Sequence, residues 1–216
     1  MYINRMVEME VNEDVAYVAG FVIGDGNLSK SYLVRAVEEN ALFINLFSEI
    51  FQRAFNERPK IYFDHFNNSF VAYLYSRPIW EFLVNELNIP SGNKSRTVRI
   101  PSKIISSEMK IKTAFLSGIF DAEGSIIRTK DSHHPNGYTR IQFKVHNNEL
   151  AEDIYKLLLE LKFKPRIYKY PEFSMVNLHG TSQCQLFLEK IGFKHPIKSD
   201  KLRHFLLANN GAGSSS

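Results

Sequence analysis

Apolar positions follow three patterns along these 216 residues. The run VAYVAGFVIG, after Asn12, is apolar on nearly every side, which is the pattern of a helix enclosed by protein rather than laid on a surface. A second run of this kind, KTAFLSGIFDA, lies in the other half of the chain. ALFINLFSEIFQRAF and ELAEDIYKLLLELKF instead space their apolar residues as one-sided helices do, and PIWEFLVNEL and SQCQLFLEKI read as shorter helices. YTRIQFKVHN alternates strictly, as a half-buried strand does. Thr139, Ile141, Phe143 and Val145 fall on one face, and Tyr138, Arg140, Gln142, Lys144 and His146 on the other.

These segments occur twice in the same order. AYVAGFVIGDGNL aligns with AFLSGIFDAEGSI, which places Asp25 on Glu123 at an offset of 98. RPKIYF aligns with KPRIYKY at an offset of 106, and the lysines of GNKS and PIKS, Lys94 and Lys198, at 104. The drift is what loop insertions cause, KDSHHPNGY being the largest candidate. The expected fold is α+β: two pseudo-symmetric αββαββα units with antiparallel sheets, residues 1–104 and 105–210, followed by a flexible or appended tail over 211–216. The first helix of each unit is expected from Asn12 to about Gly24 and from Ser107 to about Ala122. Asn12 and Ser107 are the expected N-caps, with acids in the first turn.

Small residues repeat along both first helices: Ala16, Gly20 and Gly24 in one, Ala114, Gly118 and Ala122 in the other, each set four apart. Glycine inside a helix costs about 1 kcal/mol against alanine, so a stripe of it needs a reason. Close approach of a second helix supplies one. If the two helices lie side by side and parallel, their C-terminal ends meet and Asp25 and Glu123 become neighbours. Two carboxylates at the negative ends of two helix dipoles need a positive partner. Carboxylate and backbone carbonyl oxygens suit Mg²⁺, which keeps several waters and takes few protein ligands. Taken alone, GDG is a helix-to-strand turn; two copies, each on a small-residue helix, point to a site.

Composition adds bounds. The chain is 44% hydrophobic and 23% charged, a globular balance. The single cysteine, Cys184, leaves no internal disulfide framework, and no Cys/His pairs stand at zinc-finger spacing. No apolar run has the length of a membrane span, and the N-terminus has neither a signal-peptide core nor a transit-peptide composition, so no membrane partner is expected. A net charge of +4 leans mildly toward a polyanionic partner.

VAGFVIGDG and LSGIFDAEG, paired and separated in this way, resemble the motifs of the LAGLIDADG homing endonucleases in their single-chain, two-motif form. The resemblance runs from about Asn12 to Phe205. It implies a monomer whose two sheets form a saddle in the DNA major groove. It further implies Mg²⁺-dependent cleavage of both strands of a long asymmetric site across the minor groove, leaving short 3′ overhangs. By motif position Asp25 and Glu123 are the metal-binding and catalytic acids, and the carbonyls of Gly24 and Ala122 are backbone ligands. Two or three divalent ions are implied, with Ca²⁺ supporting binding without cleavage. Some members carry a catalytic lysine in the region of Lys94 and Lys198; the alternative is that these are solvated surface lysines. The family's frequent Gln after the second strand is absent: Val37-Glu38-Glu39 and Val145-His146-Asn147 stand there, and an acid would repel phosphate.

For DNA contact the clearest candidates are Tyr138, Arg140, Gln142 and Lys144, whose types match the donor and acceptor code of base edges and whose face carries no acid. Arg128, Arg166 and Tyr168 join them, and in the first half Lys30, Arg35, Lys60, Tyr62, Arg77, Arg96 and Arg99, some for phosphate only. His133-His134 reads as loop, His179, His195 and His204 lack a ligand constellation, and Trp80 and the phenylalanines read as core. Two rival functions use the same scaffold. One is an RNA maturase assisting intron splicing, which needs the basic sheet but not the acids. The other is a non-cleaving transcription factor, which would bring a helix-turn-helix domain for which these residues leave no room. An intein-borne nuclease is a variant of the first reading. A prokaryotic, especially archaeal, cytoplasm is expected over an organelle.

Overall fold

The computed structural model describes residues 9–92, 97–130 and 137–210. Helix α1 (Glu13–Asp25) starts where Asn12 accepts a hydrogen bond from the Val15 amide at 2.9 Å, with Glu13 and Asp14 at the positive end of the dipole. Its counterpart α5 (Met109–Glu123) starts differently. Glu108, not Ser107, is the N-cap, no side chain caps it, and no acid lies in its first turn. Ser107 is occupied by the short helix α4 (Ser102–Ile105), donating its hydroxyl to the Lys103 carbonyl. Both long helices run one residue further than expected, so Asp25 and Glu123 are their last helical residues.

The two helices touch backbone to backbone. A Cβ on Gly20 would lie 2.2 Å from the Phe115 carbonyl oxygen, and one on Gly118 would lie 2.1 Å from that of Tyr17. A Cβ on Gly24 would lie 2.4 Å from the Ala122 Cβ. Successive contacts advance along both helices together, so they are parallel and their C-terminal ends coincide. Ala16 is fully buried in this seam, and Ala114 packs against the core from a partly buried position.

Each helix leads into a four-stranded antiparallel sheet. The first sheet is β1 (Gly26–Ser29), β2 (Leu33–Glu38), β3 (Lys60–Asp64) and β4 (Ser69–Tyr75), in the order β1-β2-β4-β3. The second is β5 (Gly124–Thr129), β6 (Tyr138–Val145), β7 (Arg166–Lys169) and β8 (Ser174–His179), in the order β5-β6-β8-β7. The same order in both halves is the repeat expressed as topology. Helices α2 (Ala41–Phe55) and α6 (Asn148–Glu160) pack on the inner faces, each capped by an asparagine, Asn40 and Asn147. Phe21, Phe43 and Phe47 cluster in the first half, and Phe120, Phe143 and Phe187 in the second. The outward faces of α1 and α5 thus anchor each half's own core, while their small faces join the halves.

Three features depart from the expectation. The helix over PIWEFLVNEL is two pieces, α3 (Arg77–Glu81) and a π-helical segment Phe82–Glu86. The second half carries an added helix, α8 (Pro196–Asn210), after α7 (Thr181–Lys190). Its apolar residues show no sustained period, so the main sequence signal is Pro196 in its first position. Last, Phe66 stands 95% exposed at the β3–β4 turn, outside the core its residue type suggests.

The connection between halves is fastened to the second one. Arg99 holds Asp153 of α6 through two hydrogen bonds of 2.7 and 2.8 Å, and Asn147 donates to the Val98 carbonyl at 2.6 Å. Arg99 is therefore a structural tie and not part of a sheet face. Among the described residues no helix is long and apolar enough to cross a membrane.

Since the Gly118 contact is with backbone, nothing can swing aside. Gly118→Ala is expected to lower stability by about 1–3 kcal/mol despite alanine's better helix propensity. Urea denaturation checks this, and an unchanged midpoint would contradict the packing described.

Candidate active site

The site is built where α1 and α5 end. A Cβ on Gly24 would also come within 3.1 Å of the Glu123 Cγ, so the second acid's side chain starts beside the residue that precedes the first acid. The structure thus brings Asp25, Gly24, Ala122 and Glu123 together. Beside them an open cavity is lined by Asp25, Arg35, Val37, Glu38, Glu39, Asn67, Ser69, Ala122, His195 and Lys198.

Lys198, on the first turn of α8, fills part of the electrostatic need. Its ammonium donates to the Ala122 carbonyl at 2.9 Å, to Phe120 at 3.4 Å and to the Asp121 carbonyl. A cation on the last carbonyls of a helix is favoured by the macrodipole. Burial pushes the Lys198 amine down from its usual range, while Asp121, Asp25, Glu38 and Glu123 pull the other way. The ammonium is thus within electrostatic reach of both motif acids. Lys94, its repeat counterpart, lies outside the described residues, as do Arg96, His133 and His134.

A second layer, not foreseen from the motifs, lies beneath. Asp121 is 1% exposed and accepts three hydrogen bonds: from the Tyr17 hydroxyl of α1 at 2.7 Å and from the Lys194 and His195 amides at 3.0 and 3.1 Å. Burial pushes its carboxyl up, against those donors and Lys198. Burial, with Asp121 beside it, raises the Tyr17 phenol well above its ordinary value. Glu38 does not meet the open cavity as a bare acid. Its Oε1 sits 3.5 Å from His195 Nε2 and accepts the Asn40 amide at 2.9 Å. Burial would raise the Glu38 carboxyl, but His195 and the Asn40 and Glu39 amides bring it below its ordinary range. One signal in the sequence points here: at the motif offset of 98, Asp121 stands where the first half has Ile23.

The oxygen-rich donor set fits a hard divalent cation. Two helix-terminal carboxylates and adjacent carbonyls are the type of ligand Mg²⁺ takes. The Ala122 carbonyl, though engaged by Lys198, keeps a second lone pair. Among the described residues no group of three or more His, Cys, Asp or Glu side chains is arranged around a common point, which leaves a two-acid arrangement.

The outer sheet faces hold most of the expected polar residues. On the second sheet Arg140 lies opposite His179, Gln142 and Arg166 opposite Asn177, and Lys144 and Tyr168 opposite Met175, so these share one face with Tyr138. On the first sheet Arg35 and Lys60 lie opposite Tyr73, and Tyr62 opposite Val71. The Tyr62 and Tyr73 rings meet at 5.6 Å, and Tyr73, which no motif marks in the sequence, belongs with the candidates. Lys30 is exposed in the β1–β2 turn. Two candidates stand elsewhere. Arg128 pairs in register with the buried Thr139, on the core side, and lies 5.5 Å over the Phe205 ring of α8. Arg77 is engaged with Glu81 at 2.9 Å and stacks over Tyr32.

Residues 110–192, from α5 through α7, match a family model described as LAGLIDADG-like domain. Among curated proteins the chain is similar to the tRNA-splicing ligase RtcB of Pyrococcus furiosus, at 24% identity over 85% of this chain and 21% of that protein. It is also similar to the replication factor C small subunit of Methanocaldococcus jannaschii, at 26% identity over 94% of this chain and 11% of that protein. The chain thus spans about a fifth or less of the length of these relatives. Among solved structures, the homing endonuclease I-DmoI in complex with DNA and Mn aligns with a TM-score of 0.61 at 19% identity, over 86% of this chain and 99% of that one. I-WcaI bound to its DNA recognition sequence aligns at 0.63 and 14% identity, over 89% and 87%. Full-length DUF199/WhiA from Thermatoga maritima aligns at 0.63 and 12% identity, over 98% of this chain and 65% of that one. At these identities the alignments show the fold.

The Tyr17–Asp121 bond crosses the seam and is shielded from water. Tyr17→Phe, which deletes one donor to a buried carboxylate, is expected to cost about 1.5–3 kcal/mol in a urea titration. A loss below about 0.5 kcal/mol would mean that the bond is not made in solution.

Proposed function

We propose that the chain, whose residues 110–192 match a LAGLIDADG-like domain and whose two-domain fold aligns over most of its length with solved homing endonucleases, is a site-specific double-strand DNA endonuclease. The observation that carries this reading is the convergence of Asp25 and Glu123 on the last turns of parallel helices locked by glycine contacts. A scaffold needed only for binding has no use for two acids at a junction where dipoles and mutual repulsion both oppose them. DNA occupies the outer faces of the two sheets, which form a saddle over one long asymmetric site, and a monomer contacts both halves of it. Scission leaves short 3′ overhangs.

The residues divide the work. Asp25 and Glu123, with the Gly24 and Ala122 carbonyls, would hold Mg²⁺, two or three ions in all, which would supply charge stabilisation and activation of water. Lys198 neutralises the carbonyl end of α5 beside the motif acids, and Lys94, its equivalent in the repeat, is a second candidate catalytic lysine. Arg140, Gln142, Lys144, Arg166, Tyr138 and Tyr168 read the half-site under the second sheet, and Arg35, Lys60, Tyr62 and Tyr73 the other. Arg99 and Arg77, engaged in ion pairs, are not assigned to DNA. Glu38, which as a bare acid would repel phosphate, is offset by His195.

The relatives' names support this division of scaffold from host. A splicing ligase and a replication factor share no activity by name, and the chain matches about a fifth of one and a tenth of the other. Neither activity is therefore carried over to this chain. Their archaeal sources suit a prokaryotic cytoplasm as its setting. The second reading is a binding protein built on the same fold that does not cut.

Selection of cleaved duplexes from a randomised library with Mg²⁺ tests the function. Asp25→Asn and Glu123→Gln should each lower cleavage of the recovered duplex by roughly 10³-fold or more while binding in Ca²⁺ persists. Wild-type binding without cleavage would favour the second reading. For base readout, Arg140→Ala should cost about 1–3 kcal/mol and relax preference at one position, whereas Lys60→Ala should weaken all duplexes alike. Binding selections on the two variants distinguish these outcomes.

A further inference from the structure

Lys198 belongs to the second half, yet much of what holds it comes from the first. The lead into α8 is gripped at three points. The Lys194 and His195 amides donate to Asp121, whose carboxylate also takes the Tyr17 hydroxyl of α1. The His195 ring stacks on Phe43 of α2, with centroids 4.5 Å apart and planes 26° from parallel. Its Nε2 faces Glu38, at the end of β2, across 3.5 Å. Glu38 is itself fixed by the Asn40 amide. The next link is the first turn of α8, where the Ser199 amide donates to the His195 carbonyl at 2.9 Å. Lys198 sits on that turn, so the rotation of the turn sets where its ammonium falls.

This grip breaks the repeat. Asp121 replaces Ile23 at the motif offset. Aligning the two helix caps, Asn40 with Asn147, sets Glu38 against Val145. Two acids thus stand where the other half has apolar residues, and both converge on one segment. A buried polar network is seldom more stable than the apolar packing that can replace it. Holding a group in one orientation is what such a network does better.

We infer that Glu38 and Asp121 are positioning residues: Asp121 ties residues 194–195 to α5 and, through Tyr17, to α1, Glu38 faces His195 from β2, and together they hold the Lys198 ammonium on the α5 carbonyls beside Asp25 and Glu123. The catalytic consequence rests on the endonuclease reading, while the clamp itself does not. It places a lysine of one half under the control of β2 in the other, the strand whose Arg35 lines the proposed DNA face. Chemistry at the second motif then depends on how the first half is seated.

The test uses the full chain and Glu38→Gln, which keeps an acceptor for the Asn40 amide but removes the charge facing His195. Tyr17→Phe approaches the same clamp from α1 and serves if the first variant does not fold, with exchange at these amides then read relative to that of the α6 amides, which report its global loss of stability. Hydrogen exchange should rise about tenfold or more at the Lys194, His195 and Ser199 amides, with α6 amides unchanged. With the selected duplex, kcat should fall about tenfold to a hundredfold while affinity in Ca²⁺ and KM hold. Unchanged exchange at these amides overturns the clamp, and so does acceleration spread evenly through α6. Local acceleration with kcat intact overturns its role in catalysis. If wild type cuts no duplex, the endonuclease reading fails, and the clamp is judged on exchange alone.

Discussion

Everything in this molecule depends on two helix backbones being in contact. At Gly20 and Gly118 a peptide carbonyl of one helix occupies the space a side chain would take on the other. Such contact admits one axial register and one rotation, because a shift by a single residue would drive a larger side chain into the seam. The register places Gly24 against Ala122, and the acids that follow them are then brought together by chain geometry. Side-chain packing alone, at an ordinary interaxial distance of about 8–10 Å, leaves more freedom than this.

That constraint creates an electrostatic problem at one end of the seam. Two parallel helices aim their negative ends at the same place, and each ends in a carboxylate. The described residues answer with Lys198 on the α5 carbonyls and with amide and hydroxyl donors on Asp121. The residual demand for positive charge is met in the proposed function by divalent cations and then by what they bind. Divalent cations at such a junction would supply the charge stabilisation that phosphodiester hydrolysis requires.

How far this is legible in the sequence varies by element. The repeat implies the same strand order in both sheets, since matching segments with matching loops fold alike. The alternation of β6 is readable because Ile141 and Phe143 fix its inner face. Arg128 departs from its expected place on the DNA face although the strand parity was available. Ile126 faces the core, so Arg128 two residues on does as well, and its charge is accommodated over the Phe205 ring of a helix that no apolar period announces. The π-helical segment and the Ser107 cap are invisible for a different reason. The first is a change of pitch within one helical run, and the second is lost to a local bond, the serine hydroxyl donating to the Lys103 carbonyl four residues back. The pairing of Glu38 with His195 joins positions 157 apart in the chain and leaves no local trace in the sequence.

Symmetry and its violations divide the labour. The seam, the sheets and the asparagine caps of α2 and α6 recur in both halves, and these are the parts that fix geometry. The departures, Asp121 for Ile23, Glu38 for Val145 and the added helix α8, cluster around the second motif. The outer faces diverge too: Lys60 and Tyr62 of β3 match Arg166 and Tyr168 of β7, but β2 offers Leu33, Arg35 and Val37 where β6 carries Arg140, Gln142 and Lys144. A duplicated scaffold confronted with a symmetric target has no reason to lose its own symmetry at the reading surface. Faces that differ this much suit a target whose two halves differ in sequence. In the proposed endonuclease an asymmetric target would fix which motif meets which strand, and the lysine clamp would then specialise the second half for one of the two scissile bonds.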